Sequence, residues 1–134
     1  MDCFDGAAKV FAMAANARKT AIVFVMAGSA DEAARIARAL VTEQLAACAN
    51  IIAPVRSIYR WRGAVEEARE HWIVIKTRKE LYSMVERRVR ELHSYEVPEI
   101  LALTPSAGSA VYLEWILAST IGATAPRRRA ARPS

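Results

Sequence analysis

From Ala21 to Leu117 the spacing of apolar positions switches between the period of a strand and that of a helix, and the switches delimit seven elements. Ala21 to Met26 (AIVFVM) is an unbroken apolar run, the pattern of a strand covered on both faces. Gly28 ends it. Ser29, Ala30, Asp31 and Glu32 then read as a capping box, in which the serine hydroxyl and the glutamate carboxylate each satisfy a free amide at a helix start. The predicted helix runs to about Ala46, with Ala33, Ile36, Ala37, Leu40, Val41 and Gln44 to Leu45 on one face. Arg35, Arg38, Thr42 and Glu43 take the other face.

Ala47 to Ile52 returns as a strand, and Pro54, which cannot donate to a ladder, marks a bulge or an edge. Val55 to Trp61 alternates, with Val55, Ser57, Tyr59 and Trp61 on one side and Arg56, Ile58, Arg60 and Arg62 on the other. Gly63 supplies a turn, and Val65 to Thr77 runs back as a long strand, so the two form an antiparallel hairpin. Thr77 to Glu80 reads as a second capping box. Leu81, Met84, Val85, Val89 and Leu92 make the stripe of a helix that ends near His93, before Pro98. Ile100 to Leu103 is the last strand, and Ser109 to Leu117 a closing helix with Tyr112, Trp115 and Ile116 for burial. The order β-α-β-β-α-β with a C-terminal helix predicts an α+β, ferredoxin-like sandwich.

The hairpin from Cys48 to Thr77 stands apart. Its arms reach roughly twelve residues, about twice the commonest strand length. Arms that overhang a four-stranded sheet present unpaired backbone edges, which invite pairing with another subunit. Length therefore argues for an oligomer.

Composition adds boundaries more than function. The 134 residues suit one domain, with residues 20–119 as its body. Residues 1–19 are a weakly patterned, loosely ordered extension, and residues 120–134 an Arg-rich tail with too little apolar surface to order itself. The net charge of +5 suggests nucleic acid, but Arg127, Arg128, Arg129 and Arg132 all sit in that tail. The remainder carries 15 basic against 14 acidic groups, so the folded face is near neutral and no nucleic-acid partner is expected. Two cysteines cannot build a disulfide framework, and no apolar run approaches the ~20 residues of a membrane span. Asp2 and Asp5 occupy the place where a signal peptide is positive, which points to the cytoplasm.

Few residues suggest chemistry by themselves. His93 is the candidate metal ligand, since imidazole suits copper and zinc and Tyr95 and Glu96 are near it in sequence. The competing reading is a last-turn histidine that interacts with the helix dipole and free carbonyls. His71 has no evident partner by spacing. Cys48, flanked by alanines, reads as a small core residue or as a ligand if His93 or a carboxylate lies nearby in space. Lys76 follows Trp72 to Ile75 in a strand and needs a counter-ion or an anionic ligand, and Glu67 and Glu99 are available as partners. No G-x-S-x-G, Walker or dinucleotide motif is present, so an enzyme and an organic cofactor are not expected.

Five segments in order resemble one known family: LAAC at Leu45, YRW-x-G at Tyr59, IKT at Ile75, LH-x-YE-x-PEI at Leu92 and YLEW at Tyr112. They are similar to the CutA family, small trimeric proteins associated with tolerance of divalent ions, copper especially. The resemblance covers about Ile22 to Leu117. It implies a homotrimer joined by the long hairpin arms, with Cu or another divalent cation as ligand. It also implies that Tyr59, Trp61, Glu67, Lys76, Tyr95, Glu99 and Trp115 gather near subunit junctions, with Cys48 at a cysteine common in the family. Such a cleft would hold a small metabolite or chelated metal, or would simply pin the trimer. Some relatives carry a cysteine at Val25 and a second histidine at Leu92, proposed copper ligands with His93; here only His93 remains. Ser94 occupies the place of a family proline, so Ser94→Pro is expected to stabilise the fold by about 0.4–1 kcal/mol.

Three functions follow. The first is a cytoplasmic CutA-like homotrimer that binds divalent metal ions without catalysis. The second is a trimeric signalling or scaffold protein like the PII proteins, binding a small ligand between subunits, by fold analogy alone. The third, nucleic-acid binding through the tail, has only charge in its favour.

Overall fold

The computed structural model describes residues 14–122. The elements follow in the predicted order: β1 (Thr20–Ala27), α1 (Ala30–Thr42), β2 (Cys48–Trp61), β3 (Ala64–Arg78), α2 (Tyr82–Leu92), β4 (Ile100–Leu103) and α3 (Ala110–Ala118). A 3-10 turn, Lys79–Leu81, leads into α2, and residues 14–18 are helical ahead of β1. All pairings are antiparallel, in the order β2-β3-β1-β4, which is the ferredoxin-like arrangement. No helix among the described residues is long and apolar enough to cross a membrane.

The core lies between one sheet face and helices α1 and α2. Val23, Val25, Ile73 and Ile75 cluster with Ile36, Leu40, Val85 and Val89, all fully buried. Each such side chain contributes about 1.5–3 kcal/mol. The other sheet face is apolar but open: Ile22, Phe24 and Met26 are half-buried, and Ile52, Leu101 and Leu103 are exposed. The unbroken apolar run of β1 thus does not mean two covered faces in a single chain, because both helices pack on the same side.

Four local expectations need correction. Helix α1 ends at Thr42, short of Ala46, because Gln44 takes φ 60° and the amides of Leu45 and Ala46 both return to the Leu40 carbonyl. That turn drops Leu45 and Ala46 into the core. The first capping box is half formed. Ser29 accepts the Glu32 amide at 3.1 Å, while the Glu32 carboxylate turns to Ser94. The second box is absent: Thr77 belongs to β3 and its hydroxyl donates to the Leu45 carbonyl. In α3 the buried residues are Leu113 and Ile116; Tyr112 and Trp115 lie largely outside and stack on each other.

The hairpin is as long as its pattern implies. Trp61 pairs with Ala64, and Arg62 and Gly63 between them have φ of 49° and 80°. Two consecutive positive φ values match the twist of the flanking strands, and glycine makes the second one cheap. The register shifts between Ile52 and Val55, where Pro54 removes a donor. β1 pairs with β3 only from His71 to Arg78, so Ala64 to Glu70 pair with β2 alone. At ~3.3 Å per residue this ribbon overhangs the sheet by about 23 Å.

The tail arginines and most of the expected N-terminal extension lie outside the described residues. Where the two flanks are described, they are held. Ala17 is buried and accepts the Thr20 hydroxyl at 2.7 Å, and the Ile121 amide donates to the Gln44 carbonyl at 3.0 Å.

Candidate functional site

The α2–β4 connection crosses the end of β1 and ties three elements together. His93 caps α2 with extended backbone, and its ring is fully buried. Nε2 donates to the Met26 carbonyl at 2.6 Å, and Nδ1 accepts the Tyr95 amide at 3.0 Å. Both ring nitrogens are therefore engaged, which leaves His93 no lone pair for a metal ion in this conformation. The Glu32 carboxylate beside it accepts the Ser94 amide at 2.7 Å and the Ser94 hydroxyl at 3.0 Å. Arg35 reaches the free Leu92 carbonyl at 3.4 Å. The His93 ring thus ties the end of α2 to β1 and to its own connection, and it is Arg35 that meets a carbonyl of the last α2 turn.

Beyond His93 the chain walls a groove of about 600 Å³ against the distal hairpin. Tyr59 and Trp61 of β2 and Tyr95 of the connection line it, with Glu66, Glu70, Glu96 and Glu99. Every charged lining residue is a carboxylate. Glu70 is 7% exposed and accepts the Tyr95 hydroxyl at 3.0 Å. Burial, then that bond, then the charges of Glu70, Glu32 and Tyr59 push the Tyr95 hydroxyl up to about 12. Burial, and after it the Glu70 charge, raises the Glu99 carboxyl above its ordinary value. At the rim Arg62 pairs with Glu96 at 3.2 Å and lies 5.3 Å from the centre of the Trp61 ring.

The residues expected to share a cleft separate into three places. Tyr59, Trp61, Tyr95 and Glu99 meet at the groove. Glu67 points to the opposite face of the ribbon, where it pairs with Arg56 at 2.8 Å. Cys48 and Lys76 are cross-strand neighbours at the far end of the sheet, and Lys76 bonds Asn50, not Glu67 or Glu99. The Cys48 thiol lies 3.7 Å from the Tyr112 hydroxyl, which burial and then this contact push up to about 12. Trp115 stacks on Tyr112 there. Lys76 is six residues along β3 from Glu70, about 20 Å. His93 and Cys48 also stay apart: the β1 positions beside them, Met26 and Ile22, are about 13 Å distant from each other. Half-buried Cys48 is not a sealed core residue, and among the described residues it belongs to no cluster of three or more His, Cys, Asp or Glu.

Glu66 and Glu70 escaped the sequence reading, yet a signal for them existed. A two-residue turn at Arg62-Gly63 sets Trp61 against Ala64 and Tyr59 against Glu66, so even-numbered β3 residues share the aromatic face. Buried Glu32 was hidden by its position in a plausible capping box.

Fold and groove together define a ferredoxin-like domain with an overgrown hairpin and an acidic, aromatic-walled cleft. Comparison places it further: the chain belongs to the family described as CutA1 divalent ion tolerance protein, whose profile matches residues 21–119. It is 42% identical over 99 residues to the divalent-cation tolerance protein CutA of Thermus thermophilus, covering 74% of this chain and 96% of that protein. The solved Thermus structure superposes with a TM-score of 0.74 over 75% of this chain and 98% of its own. CutA1 from Oryza sativa, 35% identical, gives 0.76 over 79% and 97%. The chloroplastic Arabidopsis thaliana protein CutA is 38% identical over 74% of this chain but only 54% of its own length.

Proposed function

We propose that this chain works as a cytoplasmic homotrimer that binds divalent metal ions, copper among them, and contributes to tolerance of them without catalysing a reaction. The observation that carries the reading is the groove: four carboxylates line it and no cation does among the described residues, while Arg62 pairs with Glu96 at the rim. Such a cleft draws cations and focuses their local concentration.

Oligomerisation has its own physical support. Ala64 to Glu70 leave one backbone edge of β3 unpaired, and the open sheet face carries Phe24, Trp72, Leu101 and Leu103. Edges and apolar faces of this kind are stable when covered by another chain. Metal binding needs the same partner. Among the described residues, no three His, Cys, Asp or Glu side chains converge on one point. A tight site therefore draws donors from more than one copy, or frees His93 from Met26 and Tyr95.

Titration with Cu(II) and Zn(II), with light scattering on the same sample, tests this. The expected mass is about three times 14.8 kDa. Glu70→Gln with Glu99→Gln is expected to weaken metal binding at least tenfold. His93→Ala separates the two routes, and binding unchanged by it removes His93 from the account. A monomer, or undiminished binding by the double carboxylate variant, overturns the proposal.

A further inference from the structure

The groove's donors are arranged for a longer cation than a metal ion. Metal–oxygen bonds are about 2.0–2.6 Å, so carboxylates that coordinate one ion must converge. Here they are strung out instead. Glu66 and Glu70 stand on one face of β3 four residues apart, about 13 Å along the strand. Glu96 and Glu99 join them in the groove from the α2–β4 connection. The rings of Tyr59, Trp61 and Tyr95 line the same groove. Aromatic faces attract ammonium and guanidinium groups and pack against methylene chains.

The chain itself shows which group such a wall accepts. The Arg62 guanidinium lies over Trp61 and pairs with Glu96, a nitrogen cation held by one ring and one carboxylate at the groove's mouth. Glu66, Glu70 and Glu99 add further carboxylates beside the rings, and none of them forms an ion pair among the described residues. Glu99 sits close enough to Glu70 to be affected by its charge. A second positive charge placed there relieves that repulsion, and one placed at Glu66 extends the series.

We propose that this groove binds a linear aliphatic polyamine, its ammonium groups paired with the separated glutamates and its methylene segments lying on Tyr59, Trp61 and Tyr95. The inference shares its groove with the metal reading but does not depend on it, since a polyamine needs no converging donors.

Calorimetric titration of the assembled wild-type protein with spermidine, in EDTA, tests it. Binding is expected, and Mg²⁺ at matched ionic strength should not displace it. Trp61→Ala should weaken it about two- to thirtyfold, through loss of the cation–π wall. Glu66→Gln with Glu70→Gln should weaken it at least tenfold. Arg62→Ala should tighten it about two- to fivefold by removing the competing cation, a gain that misfolding cannot imitate. No heat with wild type, displacement by Mg²⁺, or an Arg62→Ala protein that binds no better overturns the proposal. Failed Cu(II) and Zn(II) titrations beside intact spermidine binding retire the metal reading alone, and the reverse result retires this one.

Discussion

Replacing Ser94 by proline tests the buried polar knot most directly, because the structure reverses the sign expected from sequence. Residue 93 has φ −85° and ψ 140°, extended backbone of the kind that precedes proline without clash. Residue 93 is therefore no obstacle, and where residue 94 takes the φ near −65° that proline fixes, reduced freedom of the unfolded chain favours the variant by about 0.4–1 kcal/mol. Against that stands Glu32, 7% exposed, whose two oxygens accept the Ser94 amide at 2.7 Å and hydroxyl at 3.0 Å. Proline removes both donors. Hydrogen bonds to a charged group contribute about 1.5–3 kcal/mol each. Part of that loss is recovered as Glu32 rotates towards water. The net expectation is destabilisation of about 2–4 kcal/mol, and for a chain of this size each kcal/mol lowers Tm by about 3–4 °C. Ser94→Ala, which keeps the amide, should lie between wild type and proline. Urea denaturation followed by circular dichroism, at one protein concentration throughout, measures the series. A proline variant as stable as wild type would show that the Glu32–Ser94 bonds contribute nothing to the fold.

Other outcomes follow from the same contacts. Tyr95→Phe strips buried Glu70 of the hydroxyl that donates to it, which should cost about 1.5–3 kcal/mol in the same denaturation assay. Gly28→Ala should act in the same direction, since its new Cβ would stand 3.0 Å from the Tyr95 hydroxyl; a neutral result would separate that oxygen from stability. Glu99 titrates above its ordinary value, so the folded form holds its proton longer than the unfolded chain does. Its ionisation therefore opposes folding once the pH exceeds the folded value, and that opposition is absent below the unfolded value of about 4.3. Glu99→Gln should raise Tm at pH 7.5 and leave it unchanged near pH 3.5, and equal gains at both would count against burial and the Glu70 charge as the cause. Leu113→Ala empties a position 2% exposed in α3 and should lose about 2–5 kcal/mol in the same denaturation assay, whereas Trp115→Ala, at a position 37% exposed, should lose less.

Periodicity alone was enough to locate every strand and helix between Thr20 and Ala118, because apolar spacing follows directly from the helix and strand repeat. It also exposed the overlong hairpin, with its bulge at Pro54 and turn at Gly63, since proline and glycine act through local backbone geometry. The resemblance carried by Leu45, Tyr59, Leu92 and their neighbours placed the family. What the linear pattern could not decide was which polar groups meet. Glu32 reads as a cap residue until the α2–β4 connection brings Ser94 and His93 to it across 62 and 61 positions of chain. His93 reads as a ligand until folding sets its nitrogens against Met26 and Tyr95. Cys48, Lys76 and Trp115 match the same family set as Tyr59 and Trp61, yet the strands carry them to opposite ends of one sheet. Hydrophobic period is a local property and survives in one dimension. The partners of a buried charge are fixed only by packing distant segments together, and there tertiary structure alone decided.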